Sequence, residues 1–98
     1  MRGGIEMFNL RNLKLQRTLL FKKRRIWKTE QDYNIITDTA IILSAHQIAR
    51  QYDLDIISYD SNYYEECKIV IKGTKTSFQL FVKNFCEQFG SHIEQIRF

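Results

Sequence analysis

The chain has 98 residues, of which 44% are hydrophobic and 27% charged, and its formal net charge is +4. This length suits one domain, and the composition excludes a wholly disordered chain. No apolar run approaches the roughly 20 residues of a membrane-spanning helix, and no apolar signal sequence follows Met1. With two cysteines and no signal sequence, we expect a cytoplasmic protein with free thiols.

Positive charge is concentrated at the start of the chain. Residues 1–28 hold nine Lys or Arg and one Glu, whereas residues 29–98 hold six Lys or Arg and ten Asp or Glu. Such an asymmetry hints at contact with a polyanion or a membrane surface. We therefore divide the chain into a basic N-terminal segment, residues 1–30, and a body, residues 31–98.

The secondary structure of the basic segment has two interpretations. Leu13, Leu20 and Trp27 recur at seven-residue intervals, which is typical of an amphipathic helix. Residues 13–21 fit a strand equally well. We favour a helix or a partly ordered arm.

The body begins with a predicted strand and a predicted helix. Residues 33–37 are rich in β-forming side chains. Residues 40–52 place apolar side chains along one helical stripe, and Asp38 or Thr39 can cap the first turn.

Three further strands are predicted in the rest of the body. Residues 54–59 are apolar and β-rich, and turn-forming residues follow them. Residues 67–72 alternate apolar and polar side chains, as expected for a strand with one buried face. Residues 92–98 form the last predicted strand.

The strongest helix signal lies at residues 74–90. Thr76 or Ser77 can cap its start, and Gly90 suits a left-handed residue at its end. Four phenylalanines and a valine lie on one stripe: Phe78, Phe81, Val82, Phe85 and Phe89.

The resulting order, βαββαβ, is that of the ferredoxin-like fold, a four-stranded antiparallel sheet with both helices on one face. Right-handed crossovers place the first and third strands, residues 33–37 and 67–72, in the centre. The opposite face stays open, and we expect the basic segment, a second copy of the chain or a protein partner to cover it.

The sharpest local feature is the cation run at residues 22–25, which Phe21 and Trp27 flank. Clustered cations release counterions from a phosphate backbone, and an aromatic ring can stack on an unpaired base. The run therefore suggests an interface for DNA or RNA. A solvated face or a contact with anionic lipid would use the same side chains. The candidate residues are Arg17, Lys22, Lys23, Arg24, Arg25, Trp27 and Lys28.

Two family resemblances follow from this arrangement. The strand order resembles that of the RNA recognition motif, which stacks bases on aromatic side chains of its central strands. Here Tyr33 is the only aromatic residue in the two predicted central strands. Residues 35–48 resemble the start of ACT-type ligand-sensing domains, in which an Asp follows the first strand and opens the helix. Asp38 matches that pattern, but an Ala-Ile pair stands where the family has Pro-Gly.

Catalytic and metal-binding patterns are weak. Cys67, Cys86, His46 and His92 lack paired ligand spacing, and both cysteines lie on faces predicted to be buried. We expect no enzymatic activity, no metal and no cofactor. The favoured hypothesis is a non-enzymatic interaction or regulatory module whose basic segment contacts nucleic acid. The alternative is a protein-only assembly or regulatory factor, ACT-like or self-associating, whose N-terminal segment packs on the sheet or on a partner.

Overall fold

A computed structural model of the protein describes residues 13–29 and 32–98. These residues form an α+β fold with a four-stranded antiparallel sheet, two helices and a separate two-stranded ribbon. The elements are β1 (Leu15–Lys23), β2 (Arg25–Thr29), β3 (Asp32–Ile35), α1 (Asp38–Gln51), β4 (Asp55–Ser61), β5 (Glu66–Gly73), α2 (Lys75–Phe89) and β6 (Ile93–Arg97).

The sheet has the strand order β4-β5-β1-β6, so the basic segment supplies one of its two central strands. Leu19 pairs with Ile69 of β5, and Lys23 pairs with Ile93 of β6. The prediction of a helix or arm is therefore wrong over residues 15–29, and a boundary at residue 30 does not separate this segment from the sheet. Every second side chain is buried, at Leu19 and Phe21, and this alternation is that of a strand. The seven-residue spacing of the apolar residues does not reflect a helix.

The strand predicted at residues 33–37 forms, but in the ribbon and not in the sheet. It is β3, which pairs with β2 in a register that sets Arg25 opposite Ile35 and Trp27 opposite Tyr33. The central place expected for this strand belongs to β1 because β1 presents two large apolar side chains to the helices.

Both predicted helices are confirmed, with caps that lie earlier than expected. Thr37 Oγ1 accepts a hydrogen bond from Ala40 N at 3.1 Å, and Thr74 Oγ1 accepts one from Ser77 N at 3.1 Å. Each cap has the extended backbone that an N-cap requires. Gly90 is right-handed, at φ −53°, so the predicted left-handed end of α2 is wrong.

One hydrophobic cluster joins both helices to the same face of the sheet. Leu19 and Phe85 are fully buried in it, and the rings of Phe21 and Phe85 lie 5.2 Å apart. Each such side chain stabilises the fold by about 1.5–3 kcal/mol relative to exposure. This packing fixes the position of β1 and of the cations at its end.

The opposite face of the sheet is mostly polar in the described strands. On β5 it carries Glu66, Lys68 and Lys72, which are exposed, and the half-buried Val70. β1 lies within the sheet, so this strand does not cover the face as we had expected. A second copy or a protein partner on this face stays a prediction.

Candidate nucleic-acid interface

The four consecutive cations of residues 22–25 differ in how far they are exposed. Strand alternation turns Lys23 towards the helices, where only 7% of it is exposed. Its Nζ lies 2.8 Å from Asp38 Oδ1 and 3.0 Å from Glu65 Oε2. The prediction that Lys23 contacts nucleic acid therefore does not fit the structure, because two carboxylates already hold its ammonium group.

A polar cluster surrounds the Lys23 ammonium group. Asp38 accepts hydrogen bonds from the Tyr59 hydroxyl at 2.6 Å and from the Ser61 hydroxyl at 3.0 Å. Burial by itself would lower the pKa of Lys23, but the hydrogen bonds to Asp38 and Glu65, with their negative charges, raise it above its ordinary value. The cluster therefore keeps a charged lysine inside the fold.

Burial favours the neutral forms of both Tyr59 and Cys67. Burial raises the pKa of the Tyr59 hydroxyl, and its hydrogen bond to Asp38 raises it further. Burial raises the pKa of the Cys67 thiol, which lies 3.4 Å from the Tyr59 hydroxyl. Cys67 is buried as predicted, whereas Cys86 is only partly buried. These pKa directions indicate structural roles for both groups rather than nucleophilic ones.

The cations of residues 22–25 line an open groove of about 470 Å³, which we call the tyrosine groove. Lys23 contributes little to its surface, because only 7% of this residue is exposed. Four cations and two carboxylates line it, so its net charge is +2. Two aromatic side chains complete it. The lining residues are Lys22, Lys23, Arg24, Arg25, Tyr63, Tyr64, Glu65 and Glu94.

The cations of the groove differ in their surroundings. Arg24 and Arg25 are exposed, and Arg24 Nε lies 3.2 Å from Glu94 Oε2. Lys22 is half-buried and stands opposite Glu66 of β5 and Glu94 of β6. Carboxylates therefore reduce the positive charge of the groove: Glu94 pairs with Arg24, and Glu65 pairs with Lys23.

Tyr63 and Tyr64 occupy the tip of the turn between β4 and β5. Their side chains are 89% and 70% exposed, and their ring centroids lie 5.6 Å apart at 89°. The sequence offers no link between these two tyrosines and the basic run. Two adjacent tyrosines directly after turn-forming Asn62 were the available signal.

The remaining predicted residues are Arg17, Trp27 and Lys28, of which the structure places the Arg17 side chain away from the groove. Arg17 Nε donates a hydrogen bond to the Gly73 carbonyl at 3.0 Å, roughly 17 Å from Lys22 along β1 at about 3.3 Å per residue. Trp27 and Lys28 belong to β2, and their side chains fall outside the description. Phe21, the other aromatic flank of the cation run, is 3% exposed and cannot stack on a base.

Comparisons with known proteins add no family: no family model, curated protein or solved structure matches the chain. Within residues 13–29 and 32–98, no group of three His, Cys, Asp or Glu residues could hold a metal ion. In the same part of the chain, neither helix is long and apolar enough to cross a membrane.

Proposed function

We propose that the protein is a small, non-enzymatic binding module that holds the phosphate backbone of a nucleic acid in the tyrosine groove. The observation that carries this proposal is the convergence of the exposed cations Arg24 and Arg25, the half-buried Lys22 and two exposed aromatic rings on one concave surface. Cations at such a surface gain affinity by releasing counterions from phosphates.

The architecture supports a defined scaffold for this groove. The strand order β4-β5-β1-β6 agrees with a ferredoxin-like domain in which β1 is the first strand and the β2–β3 ribbon is inserted before α1. In this arrangement the groove lies at the end of a central strand. The cations are therefore presented by a rigid element and not by a free tail.

A charge-reversal experiment tests the proposal. Anisotropy of labelled DNA and RNA strands of about 12 nucleotides, and of their duplexes, is measured with the full chain from about 25 to about 200 mM salt. We expect binding that weakens steeply with salt, and a further loss of at least about tenfold in the Lys22→Glu, Arg24→Glu variant.

The matched control is Lys75→Glu, Lys83→Glu, which makes the same charge change on exposed positions of α2. It keeps most of the affinity if the groove is the binding site. Equal losses in the two double variants would contradict the proposal, as would the absence of binding at low salt. Thermal unfolding of each variant confirms that it is folded.

Glu94→Gln provides a test in the opposite direction. The substitution removes the carboxylate that lies 3.2 Å from Arg24 and keeps the shape of the side chain. We expect nucleic-acid affinity to rise about two- to fivefold, on the scale of a partly exposed ion pair. A fall in affinity would mean that Arg24 does not contact the ligand.

A further inference from the structure

The Tyr63 and Tyr64 rings are presented to solvent by a turn with a fixed backbone. Asn62 Oδ1 accepts hydrogen bonds from Tyr64 N at 2.9 Å and from Glu66 N at 3.1 Å. Glu65 N donates to Asn62 O at 3.0 Å, and Asn62 N donates to Glu66 O at 3.0 Å. These four hydrogen bonds hold the turn that carries both tyrosines.

Glu65 ties this turn to the end of β1. Its backbone is left-handed, at φ 65°, a conformation that glycine adopts without strain. Its carbonyl accepts a hydrogen bond from Lys23 N at 2.8 Å, and its carboxylate pairs with Lys23 Nζ at 3.0 Å. The rings are thereby held beside Lys22 and Arg24, the chain neighbours of Lys23.

This arrangement offers two different contacts to one ligand. The cations suit phosphates, whereas the rings, which touch each other only edge to face, leave flat apolar surface open. Bases in a duplex are stacked on each other, so their faces are not accessible to a tyrosine ring. Unpaired bases can stack on such rings whatever their identity.

Resting on the proposed function, we propose that the tyrosine groove selects single-stranded nucleic acid, with Tyr63 and Tyr64 as the stacking platform for unpaired bases. Lys23 is a positioning residue in this site, since its nearly buried ammonium group is already paired with Asp38 and Glu65. An acidic peptide would use the cations but would leave the two rings without a flat partner.

The experiment compares a labelled single strand of about 12 pyrimidine nucleotides with the duplex of the same sequence, at about 50 mM salt. The full-length protein is tested with Tyr63→Ala, Tyr64→Ala and with Tyr63→Phe, Tyr64→Phe. We expect the wild type to bind the single strand at least about tenfold more tightly than the duplex. The alanine variant loses this preference and the phenylalanine variant keeps it, because stacking needs the ring and not the hydroxyl.

Phe98→Ala is the matched control, because it removes a 73% exposed ring after the far end of β6. It leaves the affinities for the single strand and for the duplex unchanged.

Equal affinity for the two forms in the wild type, or equal losses for both forms in the alanine variant, would overturn the inference while leaving phosphate binding in place. Absence of all binding would instead overturn the proposed function. Competition by a glutamate-rich peptide as strong as that by the single strand would assign the groove to an acidic protein partner.

Discussion

At the scale of single residues, Lys23 shows why a run of cations cannot be interpreted as one patch. A strand sends successive side chains to opposite faces, so one lysine of the run enters the polar cluster with Asp38 and Glu65 while its neighbours stay near solvent. Burying a lysine is costly unless its charge is paired. The same two carboxylates that satisfy Lys23 also fix the tyrosine turn and the start of α1.

Replacing Lys23 with alanine tests this role. The change leaves Asp38 and Glu65 facing each other without a cation, and we expect the free energy of unfolding to fall by about 1–3 kcal/mol. We place the figure below that of a fully buried pair because 43% of the Asp38 side chain is exposed. Urea unfolding followed by circular dichroism measures the change.

The control for Lys23→Ala is Lys14→Ala. Lys14 Nζ and Asp53 Oδ2 are 2.9 Å apart, a similar distance, but both side chains are exposed. An exposed pair adds little to stability, so the unfolding midpoint should not move. Equal effects of the two substitutions would show that burial of Lys23 contributes nothing.

Acid should weaken the polar cluster through Asp38. Burial alone would raise the pKa of Asp38, but hydrogen bonds from Lys23, Tyr59 and Ser61 and the charge of Lys23 lower it below its ordinary value of 3.8. The unfolded chain therefore takes up the proton at a higher pH than the folded chain, and acid favours unfolding. The stability that Asp38 contributes is present above pH 3.8 and is lost as the pH falls through the folded pKa.

Urea unfolding of the wild type and of Asp38→Asn, from neutral pH to below pH 3.8, tests whether acid removes the stability that Asp38 contributes. The wild type should be more stable at neutral pH, and the difference should shrink as the solution is acidified. A difference that persists unchanged at low pH would mean that the charge of Asp38 does not stabilise the fold.

At the scale of elements, periodicity predicted the two helices and the three strands β4, β5 and β6. Alternation in β5 and the phenylalanine stripe of α2 are both confirmed by burial. Strand β1 was the less favoured of two interpretations, because apolar residues spaced by seven resemble a helix when tertiary packing is unknown. Helix caps were misplaced because several Thr and Ser residues near each start can supply the capping oxygen.

The cap of α2 can be tested with two threonines. Thr74→Ala removes the oxygen that accepts the hydrogen bond from Ser77 N, and we expect a loss of about 1 kcal/mol in the free energy of unfolding. Thr76→Ala, at one of the two positions that the sequence suggested for the cap, should cost less than about 0.5 kcal/mol, since it replaces an exposed threonine within the helix by the best helix former. If urea unfolding showed a larger loss for Thr76→Ala than for Thr74→Ala, Thr76 would be the capping residue instead.

At the scale of the whole molecule, β1 makes the basic segment part of the core. Leu19 is fully buried and Phe21 is 3% exposed, and β1 pairs with both β5 and β6. A chain that begins at Thr29 lacks this strand, so we expect it to show no cooperative thermal transition. A melting curve like that of the full chain would mean that residues 1–28 are a dispensable arm.

The candidate site was only partly predictable for a related reason. Its cations were visible as a run, but the tyrosines lie about 40 residues later in the chain. Their approach depends on contacts between Lys23 and Glu65 that arise only when β1 and β5 are paired. No local pattern in the sequence contains that information.

The most direct test of the groove is a map of where a ligand touches the protein. Amide chemical shifts of the isotope-labelled full chain are followed while a single strand of about 12 nucleotides is added at about 50 mM salt. We predict that the largest changes occur at residues 22–25 and 62–66. Changes centred on the polar sheet face, at Thr18, Lys68 and Lys72, would contradict this prediction, as would the absence of any change.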